Sequence, residues 1–210
     1  MELDDKRPVR DFFGSVSVSD RVPNADEQPT EYPPTDEVQK LLNSATRLDE
    51  FGRSDVDGWL IKRTIEPSDV RDAYMLSEEF NYGKLSYVES SNGKRMPWWP
   101  SFWSKEYPIV FPLYDHMGLC KSFLGRTMKN AENRTKTRCP IGYSSRGLML
   151  MNRSARRMAN GVQHKEIWVA EGEMDFLAMS VRTDEPVIGI RSGSTRHLHA
   201  IPISGKPTLY

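Results

Sequence analysis

The stretch Ile167-Trp168-Val169-Ala170-Glu171-Gly172-Glu173-Met174-Asp175 decides how this 210-residue chain is read. Four apolar residues in a row, without polar alternation, suit a strand covered on both faces, as parallel sheets require. Gly172 allows a sharp turn and leaves room for a ligand. From Glu173 to Val181 the apolar Met174, Phe176, Leu177 and Met179 are placed for a packed helix, and Pro186 to Ile190 is a second apolar run. Strand, helix and strand in that order predict a βαβ crossover. In open α/β sheets functional groups collect beyond the carboxyl ends of the strands, which is where Glu171 falls. A carboxylate there can hold Mg²⁺ or move a proton. Glu171 and Glu173 can equally serve the positive end of the following helix dipole.

Upstream of this unit, Leu148 to Met151 reads as a buried strand, followed by a basic helix from Ser154 to Asn160 that stops at Gly161. Ile109 to Leu113 and Leu119 to Met128 read as a strand pair around the turn Asp115-His116-Met117-Gly118. Lys84 to Ser90 alternates, and Ser91-Asn92-Gly93-Lys94 is a hairpin turn. The Pro-broken aromatic cluster Trp98, Trp99, Phe102 and Trp103 is read as core packing or a docking surface ahead of base stacking. Three helices are expected before it: Asp36 to Phe51 capped by Thr35, Ser54 to about Thr64, and one opening at Pro67 that carries Val70, Ala73, Tyr74 and Leu76. Residues 1–35, rich in Pro, Asp and Glu, read as a loosely attached arm.

The formal net charge is zero, with 29 Lys+Arg against 29 Asp+Glu, but the charge is unevenly spread. Met1 to Phe80 holds 19 acidic and 10 basic residues, whereas Leu119 to Arg157 holds ten basic residues and only Glu132. That asymmetry points to a polyanion for the basic stretch, whose cations are Lys121, Arg126, Lys129, Arg134, Lys136, Arg138, Arg146, Arg153, Arg156 and Arg157. The alternative is a solvated loop balanced by the acidic half. No apolar run approaches the roughly 18 residues of a membrane span, and Met1-Glu2-Leu3-Asp4-Asp5 does not open a signal peptide. The two cysteines, Cys120 and Cys139, are expected to be plain thiols in a reducing cytoplasm. His197 and His199 read as loop histidines.

The apolar strand followed by Glu-Gly-Glu-x-Asp, at Ile167 to Ala178, resembles the first motif of the Toprim domain of DNA primases, primase-helicases, topoisomerases and some nucleases. Val110 to Asp115, Gly118 and Phe123-Leu124-Gly125-Arg126 resemble the primase stretch of strand, Gly turn and strand ending in Gly-Arg. Arg134 to Arg138 and Arg146-Gly147-Leu148 stand where primases carry a basic loop and then Lys-Gly before a strand. Trp59-Leu60-Ile61-Lys62-Arg63 is similar to a short segment ahead of that core in primase-helicases. The fold implied is an α+β N-terminal primase-like subdomain, residues 36–160, joined to a partial α/β Toprim (Rossmann-like) subdomain, residues 161–210.

The resemblance implies RNA primer synthesis on a single-stranded DNA template from nucleoside triphosphates, with Mg²⁺ (or Mn²⁺) and a replicative helicase as a further partner. Glu171 would be the catalytic and metal-site glutamate. Arg126, Lys136 or Arg138, and Arg146 would contact template or nucleotide, since cations must hold phosphates in line for such transfer. Two departures stand out. Cys120 and Cys139 cannot supply the zinc-binding module of complete primases. No Asp-x-Asp occurs from Asp184 onward, so the chain is expected to stop before that motif and to catalyse weakly or not at all by itself. A non-catalytic binding module derived from a primase is the alternative, and a Toprim nuclease or topoisomerase a third.

Overall fold

The computed structural model describes residues 31–129 and 135–190. Its centre is a hairpin of β5 (Ile109–Tyr114) and β6 (Cys120–Arg126), antiparallel from Ile109↔Arg126 to Leu113↔Ser122. Asp115 closes the turn, its Oδ1 accepting from the backbone N–H of Met117 (3.0 Å) and Leu119 (2.9 Å). The short strands β1 (Thr46–Arg47), β2 (Tyr74–Met75) and β7 (Thr137–Arg138) extend the hairpin into a five-stranded sheet of order β1-β2-β5-β6-β7. Alternate residues of β5 face different cores. Ile109, Phe111 and Leu113 join one cluster, whereas Val110 joins Trp98, Trp99 and Phe123 in another.

The first cluster ties this sheet to a second one. Strands β8 (Leu150–Met151), β10 (Val187–Ile190) and β9 (Trp168–Glu171) form a three-stranded sheet in that order, β9 and β10 parallel and β8 antiparallel to β10. Helix α6 (Glu173–Ser180) is the crossover between the parallel strands. The βαβ unit read from the sequence is therefore present. Phe176 and Leu177 of α6 pack into the same cluster as Phe111 and Leu113, so the helix is held between the two sheets. Helix α5 (Arg153–Ala159) follows β8 and is capped by Asn152. The buried Asn152 Oδ1 accepts from Ala155 N (2.9 Å) and Val187 N (3.0 Å), and its amide donates to Glu185 O (2.9 Å), which joins α5 to the start of β10.

Residues 35–76 depart most from the sequence reading. The expected helix to Phe51 is broken into α1 (Thr35–Ser44), β1 and α2 (Leu48–Phe51). Ala45 takes an extended conformation, and the N–H groups of Leu48 and Asp49 donate to the carbonyls of Ala73 and Val70 instead of continuing a helix. Thr35 does not cap; α1 starts at Thr35 itself, after Pro34. The next helix, α3 (Ser54–Ile61), ends earlier than expected, with Thr64 at φ 57. The helix expected from Pro67 is only a 3-10 turn, Pro67–Asp69, because Tyr74 and Met75 are taken up by sheet pairing with β1 and β5. Tertiary pairing overrides a helical pattern of this length. The hairpin of β3 (Tyr87–Glu89) and β4 (Arg95–Pro97) turns at Gly93 as read, and α4 (Ser101–Glu106) follows it.

Trp98 and Trp99 are fully buried, in agreement with the core reading, while Phe102 remains exposed. Gly125 lies directly under Trp99, where any Cβ would collide with the indole ring. Among the described residues no helix is long and apolar enough to cross a membrane.

Candidate nucleic-acid interface

Glu171 is the last residue of β9 and is exposed. Gly172 follows with φ 84, a conformation that favours glycine, and its N–H donates to Ile190 O (2.9 Å). This turn sends the chain directly into α6, so Glu171, Glu173 and Asp175 all sit at the carboxyl end of the parallel strands. Glu173 does not cap the helix. It forms an ion pair with Arg126, the last residue of β6, and both side chains are nearly buried, 12% and 13% exposed. The pair locks the end of the first sheet against the first turn of α6. Arg126 Nε is buried without a partner among the described residues.

Further cations stand beside Arg126. Arg63, just beyond α3, stacks its guanidinium 4.1 Å from the centre of the Trp59 ring and donates to Trp59 O (2.8 Å). Burial, together with the neighbouring Arg126 charge, pushes Arg63 below the usual arginine range. Of these two like charges, Arg126 is already met by Glu173, and Arg63 has no carboxylate partner among the described residues. Arg63 and Lys62 also line a cleft of about 450 Å³ with Ser54, Trp59 and Met128. In the sequence, Lys62 and Arg63 are two adjacent cations closing an apolar helix, the one local signal that marks them.

The other expected contacts divide. Lys136 is exposed, and its carbonyl accepts from Thr127 N (3.1 Å), which places it next to the end of β6. Arg138 is exposed on β7, across from Gly125; its guanidinium lies over Trp103 (5.5 Å) and Tyr107 (5.9 Å) and donates to Tyr107 Oη (3.3 Å). Arg146 is exposed in the loop entering β8, and the β8–β10 register puts that loop on the carboxyl side of β10, the side of Glu171. Lys121 does not join them. It stands at the opposite end of β6 from Arg126, about 17 Å away along an extended strand, and faces Asp115 at 3.8 Å. Its charge is used to hold the hairpin turn. Arg134, His197 and His199 lie outside the described residues.

Among the described residues no three His, Cys, Asp or Glu side chains converge on a metal position. Glu173 is committed to Arg126, which leaves Glu171 and Asp175 as the exposed carboxylates at this end. Those residues alone do not fit a Mg²⁺ site, since the ion needs several converging oxygens. Cys120 and Cys139 are free thiols, and burial pushes the Cys120 thiol up to about 11, so it is not a nucleophile at neutral pH.

Comparison with solved structures shows a primase-like fold of mixed helix and sheet. The chain superimposes on the structure of the DnaG primase catalytic domain bound to ssDNA with a TM-score of 0.54 and 13% identity, covering 80% of this chain and 56% of that one. A structure of the DnaG catalytic core is likewise 13% identical, with a TM-score of 0.46 over 80% of this chain and 55% of that one. The chain thus spans about half the length of these DnaG structures. No family model matches the chain, and no curated protein does.

Proposed function

We propose that this chain is a primase-type core element that holds single-stranded DNA and nucleoside triphosphates at the carboxyl end of β9. One observation carries the reading. The Arg126–Glu173 pair fixes a basic sheet edge against the turn that presents Glu171, so cations and an acid share one rim. The likeness to a primase catalytic domain that was solved with ssDNA supports it. Arg63, Lys136 and Arg138 bind phosphates, for which arginine's fork is suited, around the Arg126–Glu173 pair that holds this rim, with Arg146 on the same side of the second sheet. Glu171 moves a proton or lends one oxygen to a Mg²⁺ (or Mn²⁺) otherwise held by nucleotide phosphates, the usual manner for that ion. The fold unit that presents Glu171 is of the Toprim kind. A replicative helicase is the partner class implied by the resemblance.

Primer synthesis from nucleoside triphosphates on an oligothymidylate template, with Mg²⁺ or Mn²⁺, is the direct test. Product from the wild type and none from Glu171→Gln, with template affinity unchanged, supports the reading. Equal product from both removes Glu171 from the chemistry. The second reading, a binding module without catalysis, is favoured by the incomplete carboxylate set among the described residues. It predicts salt-sensitive DNA binding with no primer product from either protein.

A further inference from the structure

A second, larger cleft lies away from Glu171. It has a volume of about 830 Å³ and is bordered by the loop after α6, the first turns of α5 and the segment leading into β2. Because α6 starts at the carboxyl end of β9, its far end returns to the amino ends of β9 and β10. The cleft therefore opens at the opposite end of the parallel strands from Glu171.

Its chemistry is cationic. Arg71, Arg153, Arg157 and Arg182 line it, all exposed, and none makes an ion pair or side-chain hydrogen bond among the described residues. Two more arginines there are engaged: Arg156 with Asp72 (3.1 Å) and Met151 O (2.6 Å), and Arg47 with Asp49 (2.5 Å). Asp69 and Asp184 on the rim leave the four unpaired guanidinium groups in excess. Two of the lining residues, His164 and Ser180, each carry a buried polar atom, Nε2 and Oγ, without a partner among the described residues. The Ser180 hydroxyl can donate or accept a hydrogen bond, while His164 Nδ1 is engaged by the Glu185 carboxylate (3.2 Å). Four cations carried by three separate segments exceed what one phosphate group can use. The few apolar groups present, Tyr74 and Val181, give an acidic peptide little to anchor on.

We propose that this cleft binds the phosphodiester backbone of a nucleic-acid strand. Arginine forks match phosphate oxygens, and a strand presents several phosphates in series, each releasing counterions when it is neutralised. The inference deepens the nucleic-acid reading but rests on different residues, so the two fail separately.

The test measures binding of a fluorescein-labelled oligothymidylate of about 24 nucleotides to the full chain across a salt series. Arg153→Ala with Arg157→Ala should weaken binding about tenfold and make the log–log salt slope shallower by about 1.4, two single-strand phosphate contacts. Arg182→Ala, on another element, should weaken it further, and Arg153→Lys with Arg157→Lys should restore most of the slope. All four positions are exposed, and unchanged thermal melting confirms that the variants fold. Wild-type affinity and slope in both alanine variants overturn the proposal. It is equally overturned if labelled ATP loses affinity in those variants while the oligonucleotide does not, because the cleft would then serve a free nucleotide. Loss in the Arg153/Arg157 variant with none in Arg63→Ala/Lys136→Ala keeps this proposal and removes the site at Glu171.

Discussion

The two ends of the β9–β10 pair handle charge in opposite ways. At the carboxyl end the central cation is already matched, Arg126 against Glu173, with both side chains nearly buried. At the amino end four arginines are exposed and unmatched among the described residues, and the nearly buried Asp72 pairs with Arg156. A matched, nearly dry pair positions elements; it joins β6 to α6 and so sets where Glu171 stands. The exposed arginines of the other end hold no ion pair among the described residues, which is what the proposed strand-binding cleft requires. The same residue type thus holds structure at one end and, among the described residues, stands unpaired at the other.

Stability measurements can break that contrast. Glu173→Ala leaves the Arg126 guanidinium nearly buried with no counter-charge and should cost about 3 kcal/mol, the range for breaking a buried pair from one side. Arg126→Ala should cost a similar amount, and the double variant should cost less than the sum. Arg157→Ala at the other end should stay within about 0.5 kcal/mol. Chemical denaturation of the four proteins checks this. Losses below 1 kcal/mol in both single variants, with no coupling between them, would mean that the pair is not what locks β6 to α6.

The legibility of the chain follows the same division between local and distant causes. The crossover β9–α6–β10 could be read because its signals are local: a continuous apolar strand, Gly172 at the bend and a packed helix face. The β5–β6 hairpin and Gly93 turn were readable for that reason too. Residues 35–76 were not, because their pairing partners lie far along the chain. Tyr74 and Met75 pair with Val110 and Ile109, and Leu48 donates to Ala73, contacts that no helical periodicity announces. The site was legible in part. Glu171, Arg126, Lys136, Arg138 and Arg146 are singled out by residue type and order, and the structure sets them toward one end; Lys121 stands at the other end of β6, because charge counting ignores which end of a strand a side chain occupies. Arg153 and Arg157 belong to the basic stretch, but their meeting with Arg71 and Arg182 is not legible, because three separate segments must come together before the cleft exists.

Glu37 on α1 sharpens the comparison from outside both ends. Its carboxylate accepts from Ser86 N (2.9 Å), Ser86 Oγ (2.6 Å) and Trp98 Nε1 (2.6 Å), and so ties α1 to the β3–β4 hairpin. Burial by itself would raise its pKa, but these hydrogen bonds outweigh it and hold the carboxyl below the usual glutamate range. A carboxyl lowered in the folded state stabilises above its unfolded pKa, and that contribution is lost as pH falls through the folded value. Glu37→Gln keeps the shape and weakens the acceptor, so it should cost about 1 kcal/mol at neutral pH. It should also flatten the acid limb of the stability curve. An acid limb identical to wild type would show that the three bonds carry no net charge preference.

Asp72 should show the smallest effect and the opposite sign. Burial pushes its carboxyl up, and the nearby Arg156, with Arg47 and Arg71, only partly reverses this. With the folded pKa above the unfolded one, the native state binds the proton more tightly than the unfolded chain does. Its contribution to stability is present at low pH and falls as pH rises through the carboxylate range. Asp72→Asn removes that falling slope, while Arg156 keeps its bond to Met151 O. Unfolding free energies measured at closely spaced pH values should therefore differ between wild type and Asp72→Asn by an amount that grows with pH and levels off near neutrality. A difference that shrinks as pH rises would mean that the arginines outweigh burial at Asp72. The arginine-rich end would then be electrostatically satisfied much like the Arg126–Glu173 end, and the contrast between the two ends would not hold.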